Sequence, residues 1–290
     1  ITDHGNLYGA LEFYHSALKK KLIPIIGYEA YVINDSRFDR PDRENNKRYH
    51  LTLLAENTVG YWNLVKMASK AYTEGYYYKP RVDYELLKDH SEGIIALSGC
   101  LGGEISQFLA PDGSVEEGNQ EGERSFSKAL EKARFYQSIF GENNFYIELH
   151  NHGIAQQKII LPDLLKISEE IGAPLVATND SHYVNQDDAS AHDALLCVQT
   201  NATLDDNTRF KFDGSGYYVK SSEEMRKLFP EEKFPKACDN TVEIAERIEY
   251  NFSSPKYYLP DFPVPEKNKT IEEYLNEKVY EGAKEVYSDL

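Results

Sequence analysis

Cysteine is scarce and scattered. Cys100, Cys197 and Cys238 are odd in number and far apart, so they do not read as a disulfide framework, and a reducing cytoplasm is the simple inference. Positive charge is short as well: 32 Lys and Arg against 48 Asp and Glu leave a net charge of −16. Broad, sequence-blind phosphate binding needs a basic surface that such a chain lacks, although a small local nucleic-acid site assisted by metal cations stays open. No apolar run approaches the roughly 18 residues of a membrane span, and no secretory signal is visible. Neither the nucleophile elbow G-x-S-x-G nor the phosphate-cradling G-x-x-x-x-G-K-[ST] occurs. No internal repeat of fixed period is found. What is present is material for a core: 41% hydrophobic and 12% aromatic residues in a chain of 290, enough for one large domain or two ordinary ones and against disorder.

Short apolar runs alternate with helix-forming segments. Residues 8–21 carry apolar positions at Leu11, Tyr14, Ala17 and Leu18 and read as helix; 22–33 (LIPIIGYEAYVI) read as strand and 34–48 as polar loop. Strand is predicted again at 49–55, helix at 58–72, strand at 93–99, loop at 109–122 and helix at 125–139. Residues 144–153 read as strand then turn, 159–171 as helix and 173–183 as strand. This alternation predicts parallel βα units, hence an α/β barrel or an open sheet. Beyond about residue 201 the style changes. Helices are expected at 221–229, where SSEEM offers a Ser cap followed by acids, and at 236–248. An extended linker with Pro260, Pro263 and Pro265 follows at 257–268. Thr270 then caps a last helix that reads as the first element of a further domain.

Metal-capable side chains gather near the predicted strand ends. His4 follows a strand stub in ITDHGN, Glu29 lies within IIGYEAYVI, and His50 begins HLTLLA. Cys100 ends IIALSG, His150 and His152 end FYIEL, and Asp180 with His182 end LVATN. In a βα barrel the C-terminal strand ends share the face on which loops build the site. Imidazole, carboxylate and thiolate are the donors divalent cations take. One ion needs about four ligands, so six or more candidates allow two or more ions, and paired ions support in-line phosphoryl displacement. Taken singly, each residue is more often structural: Cys100 a small buried hydrophobe, Glu29 a surface acid. His15 and His90 read as solvated and His192 as structural. Joint placement is what carries the metal reading. The stretch EGYYYKPRVDY (74–84) is ambiguous: its tyrosines either pack in the core or stack on bases, and Lys79 and Arg81 can meet a phosphate.

The ordered segments ITDHGN-x-YGA-x-EFY, PIIGYEAYV, HLTLLA-x-N, YYYKPRVDYELL, ALSGCLGGE, ELHNHG, VATNDSHYV and YLPDFPVP span essentially the whole chain. Together they resemble the polymerase-and-histidinol-phosphatase (PHP) domains of bacterial DNA polymerase III alpha subunits. That resemblance implies a distorted (β/α)7 TIM-like barrel in a PHP domain over residues 1–255, of which 204–255 form a helical extension. Residues 256–290 are then linker and first helix of the polymerase palm region. It implies a site for up to three divalent ions (Zn²⁺, or Mn²⁺/Mg²⁺) held by His4, Glu29, His50, Cys100, Asp180 and His182. Asp3 is expected to orient His4, and His152 to act as a ligand or a supporting donor, with His150 a weaker candidate. The family's H-x-H motif is absent, so the first strand is expected upstream of Ile1, and the piece alone is expected to be weakly active or inactive. The parent would be a cytoplasmic DNA-directed DNA polymerase, with primer-template DNA, the sliding clamp and a separate proofreading subunit as partners and no membrane. Some family members have lost ligands and keep the domain as a scaffold. Here each covered position is metal-capable, which implies a 3′–5′ proofreading exonuclease. The competing readings are a non-catalytic module that braces the polymerase and docks the proofreading subunit, and a stand-alone phosphatase.

Overall fold

The computed structural model describes residues 1–42, 45–110, 124–249 and 259–287. Most of the predicted 109–122 loop, the start of the 257–268 linker and the expected domain boundary at 255/256 lie outside the described residues. The chain divides into two units, Ile1–Tyr250 and Asn251–Leu290.

In the first unit a six-stranded mixed sheet has the order β3-β1-β2-β4-β5-β6. Its strands are β1 (Gly27–Ile33), β2 (Tyr49–Ala55), β3 (Arg81–Asp83), β4 (Ile94–Leu97), β5 (Phe145–Leu149) and β6 (Leu175–Ala177). The helices are α1 (Ala10–Lys19), α2 (Thr58–Thr73), α3 (Tyr84–Asp89), α4 (Glu104–Leu109), α5 (Phe126–Phe140), α6 (Ala155–Ile171), α7 (Ala189–Thr200), α8 (Ser222–Leu228) and α9 (Asp239–Arg247). The all-parallel expectation needs correction. β2 runs antiparallel to both β1 and β4, whereas β1–β3, β4–β5 and β5–β6 are parallel. The cause is the 34–48 connection: it is polar and its described residues build no crossover helix, and without a crossover the chain can only return antiparallel.

Strand residues alternate between two apolar layers. Tyr28, Ala30 and Val32 of β1, Leu51 and Leu53 of β2, Ile94 and Ala96 of β4, and Phe145, Ile147 and Leu149 of β5 pack with Leu64 and Met67 of α2, Ala133 and Tyr136 of α5 and Leu164 of α6. The opposite parity forms a smaller cluster, Leu54, Ile95, Leu97, Tyr146 and Val176, closed off by Ile244 of α9. With both faces covered, the strands read as near-continuous apolar runs. Helix α2 starts at Asn57, whose Oδ1 accepts from the Val59 and Gly60 amides at 3.0 and 3.1 Å. At Gly60 the helix touches β4's leading turn so closely that an added Cβ would lie 1.7 Å from Gly93 O.

Residues 1–5 extend alongside β1. The Gly27 and Glu29 amides donate to Ile1 O and Asp3 O, and the Gly5 amide donates to Glu29 O. The sheet is strongly curled. One cavity of about 290 Å³ is lined by side chains of β1, β2, β4, β5 and β6 together with Ile1, Thr2 and α9.

In the second unit Thr270 caps α10 (Ile271–Val286) through a reciprocal box with Glu273. Phe262 of the proline-rich segment stacks on Tyr274. Among the described residues no helix is long and apolar enough to cross a membrane.

Candidate metal centre

Strand parity builds the site. Positions 29 on β1, 50, 52 and 54 on β2, and 146 and 148 on β5 all belong to the small-cluster face, and 150 and 178 continue the same alternation past the ends of β5 and β6. Nearest the cavity floor these positions are apolar; toward the mouth they become Glu29, His50, Thr52, Glu148, His150 and Thr178. His50 lies at the start of its strand. Because β2 is reversed, that start sits beside Tyr31 of β1, at the same edge as the C-terminal ends of β1 and β4.

Glu29 is the hub. Its Oε1 is 2.8 Å from His50 Nδ1 and its Oε2 is 3.4 Å from His4 Nδ1. His4, Glu29 and His50 each offer a ligand atom within 4.8 Å of the others. Cys100 Sγ lies 3.5 Å from His50 Nδ1 and also accepts the Gly102 amide. The His4 ring sits 5.4 Å from His50 and 5.8 Å from His182, across the two margins of the curled sheet. His182 Nε2 is 3.2 Å from Asp180 Oδ1. Asp180 holds φ at +44°, a left-handed turn that aspartate tolerates better than most residues, and it lines the cavity with Glu29, Cys100 and His150. Six of the sequence-predicted side chains, His4, Glu29, His50, Cys100, Asp180 and His182, therefore share one mouth.

The other two predicted residues are placed differently. The Asp3 carboxylate points toward Gly9 at the start of α1, and among the described residues it makes no hydrogen bond or ion pair with His4. The orienting role expected of it has no contact to act through. In His152 both ring nitrogens are engaged: Nε2 donates to Asn179 O at 2.8 Å and Nδ1 accepts from Gln157 Nε2 at 2.8 Å. The ring also stacks on Tyr217 at 4.0 Å. Burial, aided by the neighbouring His150, brings its pKa down to about 4. With both nitrogens engaged, the His152 ring braces the 179–180 turn and presents no free nitrogen to the donor cluster.

Glu148 and His150 line the cavity, whereas His152 does not. Glu148 is buried and accepts from Thr178 Oγ1 at 2.6 Å, Thr52 Oγ1 at 3.2 Å and the Gly99 amide at 3.0 Å. His150 Nε2 lies 3.2 Å from Glu148 Oε1 and 2.7 Å from Thr178 Oγ1. The other nitrogen, Nδ1, is buried and has no hydrogen-bond partner among the described residues. A buried polar atom without a partner is costly. A carboxylate behind one imidazole nitrogen, with the other nitrogen open, is the arrangement that supports a metal-ligating histidine.

Charge is concentrated here. Burial opposes a proton on His50, yet Cys100 and Glu29 push its pKa well above the usual histidine value. Burial pushes the Cys100 thiol up despite the nearby His50. Burial alone would raise Asp180; the hydrogen bond from His182 and the charges of the surrounding histidines hold it well below the usual carboxylate range. A donor set of imidazoles, carboxylates and one thiol, with a buried orphan nitrogen among them, fits divalent cations.

Arg81, a candidate phosphate contact, is buried instead and donates to the carbonyls of Gly75, Arg37 and Asp39, pinning the 34–48 connection.

A family model described as the PHP domain matches residues 1–152. The chain is 44% identical to the DNA polymerase III subunit alpha of Thermus aquaticus, covering 100% of this chain and 23% of that protein. The corresponding protein of Borreliella burgdorferi is 42% identical over 100% of this chain and 24% of its own length. That of Helicobacter pylori is 44% identical over 85% of this chain and 20% of its length. The chain thus spans about a quarter of the length of the curated relatives it matches.

Proposed function

The chain belongs to the PHP-domain family, and on that premise we propose that it supplies a cation-dependent phosphoesterase site to a bacterial replicative DNA polymerase III alpha subunit, acting as a 3′–5′ proofreading exonuclease. The observation that carries this reading is the convergence of His4, Glu29, His50, Cys100, Asp180 and His182 on one mouth beside the unpartnered Nδ1 of His150. His4, Glu29 and His50 would hold one cation, with Cys100, His150, Asp180 and His182 completing positions for up to three of Zn²⁺, Mn²⁺ or Mg²⁺. Cations in such a set supply Lewis-acid charge to a phosphoryl oxygen and make water more acidic. Glu29 stands between the imidazoles of residues 4 and 50 and would fix both. Glu148, through the His150 Nε2 proton, aims Nδ1 into the cavity. His152 holds the 179–180 turn so that Asp180 faces the donors. A module that only braces a polymerase has no use for a buried imidazole nitrogen without a partner.

The six strands with their outer helices would form the larger part of a (β/α)7 barrel, and α10 would open the palm region. Polymerisation, primer-template DNA, the sliding clamp, a proofreading subunit and a cytoplasmic setting belong to the parent protein in this reading. The test is digestion of a mismatched primer end by the full-length polymerase with Zn²⁺ or Mn²⁺. Asp180→Asn is expected to abolish it, and digestion at the parent rate by that variant overturns the proposal.

A further inference from the structure

Four tyrosines from two stretches of chain, the lead into α1 and residues 72–78, are exposed. Tyr8 is 81% exposed, Tyr72 39%, Tyr76 52% and Tyr78 64%. Tyr8 sits 6.4 Å from Tyr72, and Tyr72 stacks on Tyr76 at 5.8 Å with an interplanar angle of 21°. Tyr78 adopts φ of +62°, which a bulky side chain rarely holds without compensation, and its ring meets Tyr77 at 4.7 Å.

Neighbouring residues tie these tyrosines to the site. Tyr8 comes four residues after His4. Gly5 between them, at φ +70°, is packed so tightly on the 78–80 segment that a Cβ would lie 2.7 Å from Pro80 Cγ. Lys79 Nζ lies 3.3 Å from the hydroxyl of Tyr31. The Tyr31 ring in turn stands 6.2 Å from His4 and 5.4 Å from His50. A cation is therefore found where the aromatic row meets the donor cluster.

The rings touch one another, but core burial does not account for them, because each remains 39–81% exposed. Protein interfaces also use aromatic rings, but here the exposed rings follow one another beside a single ammonium and next to the donor cluster. That is the chemistry of single-stranded nucleic acid: bases stack on aromatic rings and the backbone follows the positive charge. It also suits a chain of net charge −16, since stacking needs no broad basic surface.

We propose that Tyr8, Tyr72, Tyr76 and Tyr78 form a stacking platform for the unpaired bases of a single-stranded DNA end, with Lys79 meeting the phosphate nearest the metal centre. The proposal rests on the phosphoesterase reading for its direction, and its test is separable from it. Binding of a fluorescent oligothymidylate to the full chain is measured by anisotropy in EDTA, where cations play no part. Tyr72→Ala and Tyr76→Ala are each expected to weaken binding about tenfold, and the Tyr→Phe versions to keep it within about twofold, since the ring and not the hydroxyl does the stacking. An abasic oligonucleotide and a blunt duplex are expected to bind the parent chain more weakly than the single strand. The platform is overturned if the two alanine variants bind as tightly as the parent, or if abasic or duplex DNA does. Should an alanine variant fail to fold, the abasic comparison decides alone. Hydrolysis of bis(p-nitrophenyl) phosphate by the parent chain with Zn²⁺ or Mn²⁺ tests the site reading independently, because that ester carries no base to stack.

Discussion

Replacing Glu148 by glutamine should weaken cation binding without dismantling the core of the sheet. The Glu148 carboxylate has two sides. Oε2 accepts from Thr52 Oγ1 and the Gly99 amide; Oε1 accepts from Thr178 Oγ1 and faces His150 Nε2 at 3.2 Å. A glutamine can keep its carbonyl oxygen on the Gly99 side, because that backbone donor has no alternative. Its amide nitrogen must then face Thr178 and His150. The threonine hydroxyl can turn and accept. His150 can accept there only with Nε2 unprotonated, which puts the ring proton on Nδ1 and closes that nitrogen to a cation. Loss of such carboxylate–histidine support typically costs about 10- to 100-fold in metal affinity, or about 1.4–2.7 kcal/mol of cation-linked stability. The metal-free chain should lose about 2 kcal/mol from exchanging a charged acceptor for a neutral one in a buried site. Zinc affinity measured by chelator competition, alongside thermal unfolding with and without Zn²⁺, separates the two effects. A Glu148→Gln variant that binds zinc within about twofold of the parent would refute the tautomer argument and with it the assignment of His150.

His152, with a folded pKa near 4 against an ordinary 6.5, makes acid unfolding informative. Its pKa is depressed, so the unfolded chain takes up a proton between those values that the folded chain refuses. The stabilisation is complete above pH 6.5 and is lost as pH falls toward 4, by up to about 3 kcal/mol. In EDTA, urea titrations of parent and His152→Gln across that window should diverge by about one proton's slope; parallel curves would show that the ring is not held neutral. Gly60→Ala forces a Cβ to within 1.7 Å of Gly93 O, so α2 must lift off the turn before β4. Calorimetry should record a loss of at least about 2 kcal/mol, or about 4–8 °C, and an unchanged midpoint would mean that this contact is not as close as described.

The strands were legible because both faces of the sheet are buried, which turns each one into an apolar run that no helix period explains. The direction of β2 was not, although its cause was in plain view: residues 34–48 carry no apolar stripe from which to build a crossover helix. β3 escaped notice because three residues, Arg81, Val82 and Asp83, are too few for a period and two of them are charged. The metal-capable residues were found by their position near strand ends, a rule that presumes parallel strands. His50 reaches the shared edge only because the reversed strand brings its beginning there.

Period-two parity is the stronger signal. Once Leu149 is assigned to the helix-covered face, Glu148 and His150 fall on the other face with Glu29, and an acid inside the otherwise apolar run FYIEL becomes a buried charge that needs partners. The same parity puts 152 in register with 150, so alternation alone would have kept His152 in the site. What removes it is tertiary: Gly153 turns the chain at φ +87°, Gln157 of α6 takes Nδ1, and the carbonyl of Asn179, 27 residues away, takes Nε2. A sequence pattern reports which face a side chain starts from. Whether its nitrogens remain available depends on partners that approach from elsewhere in the fold, and at residues 150 and 152 that difference separates an open donor from a closed one.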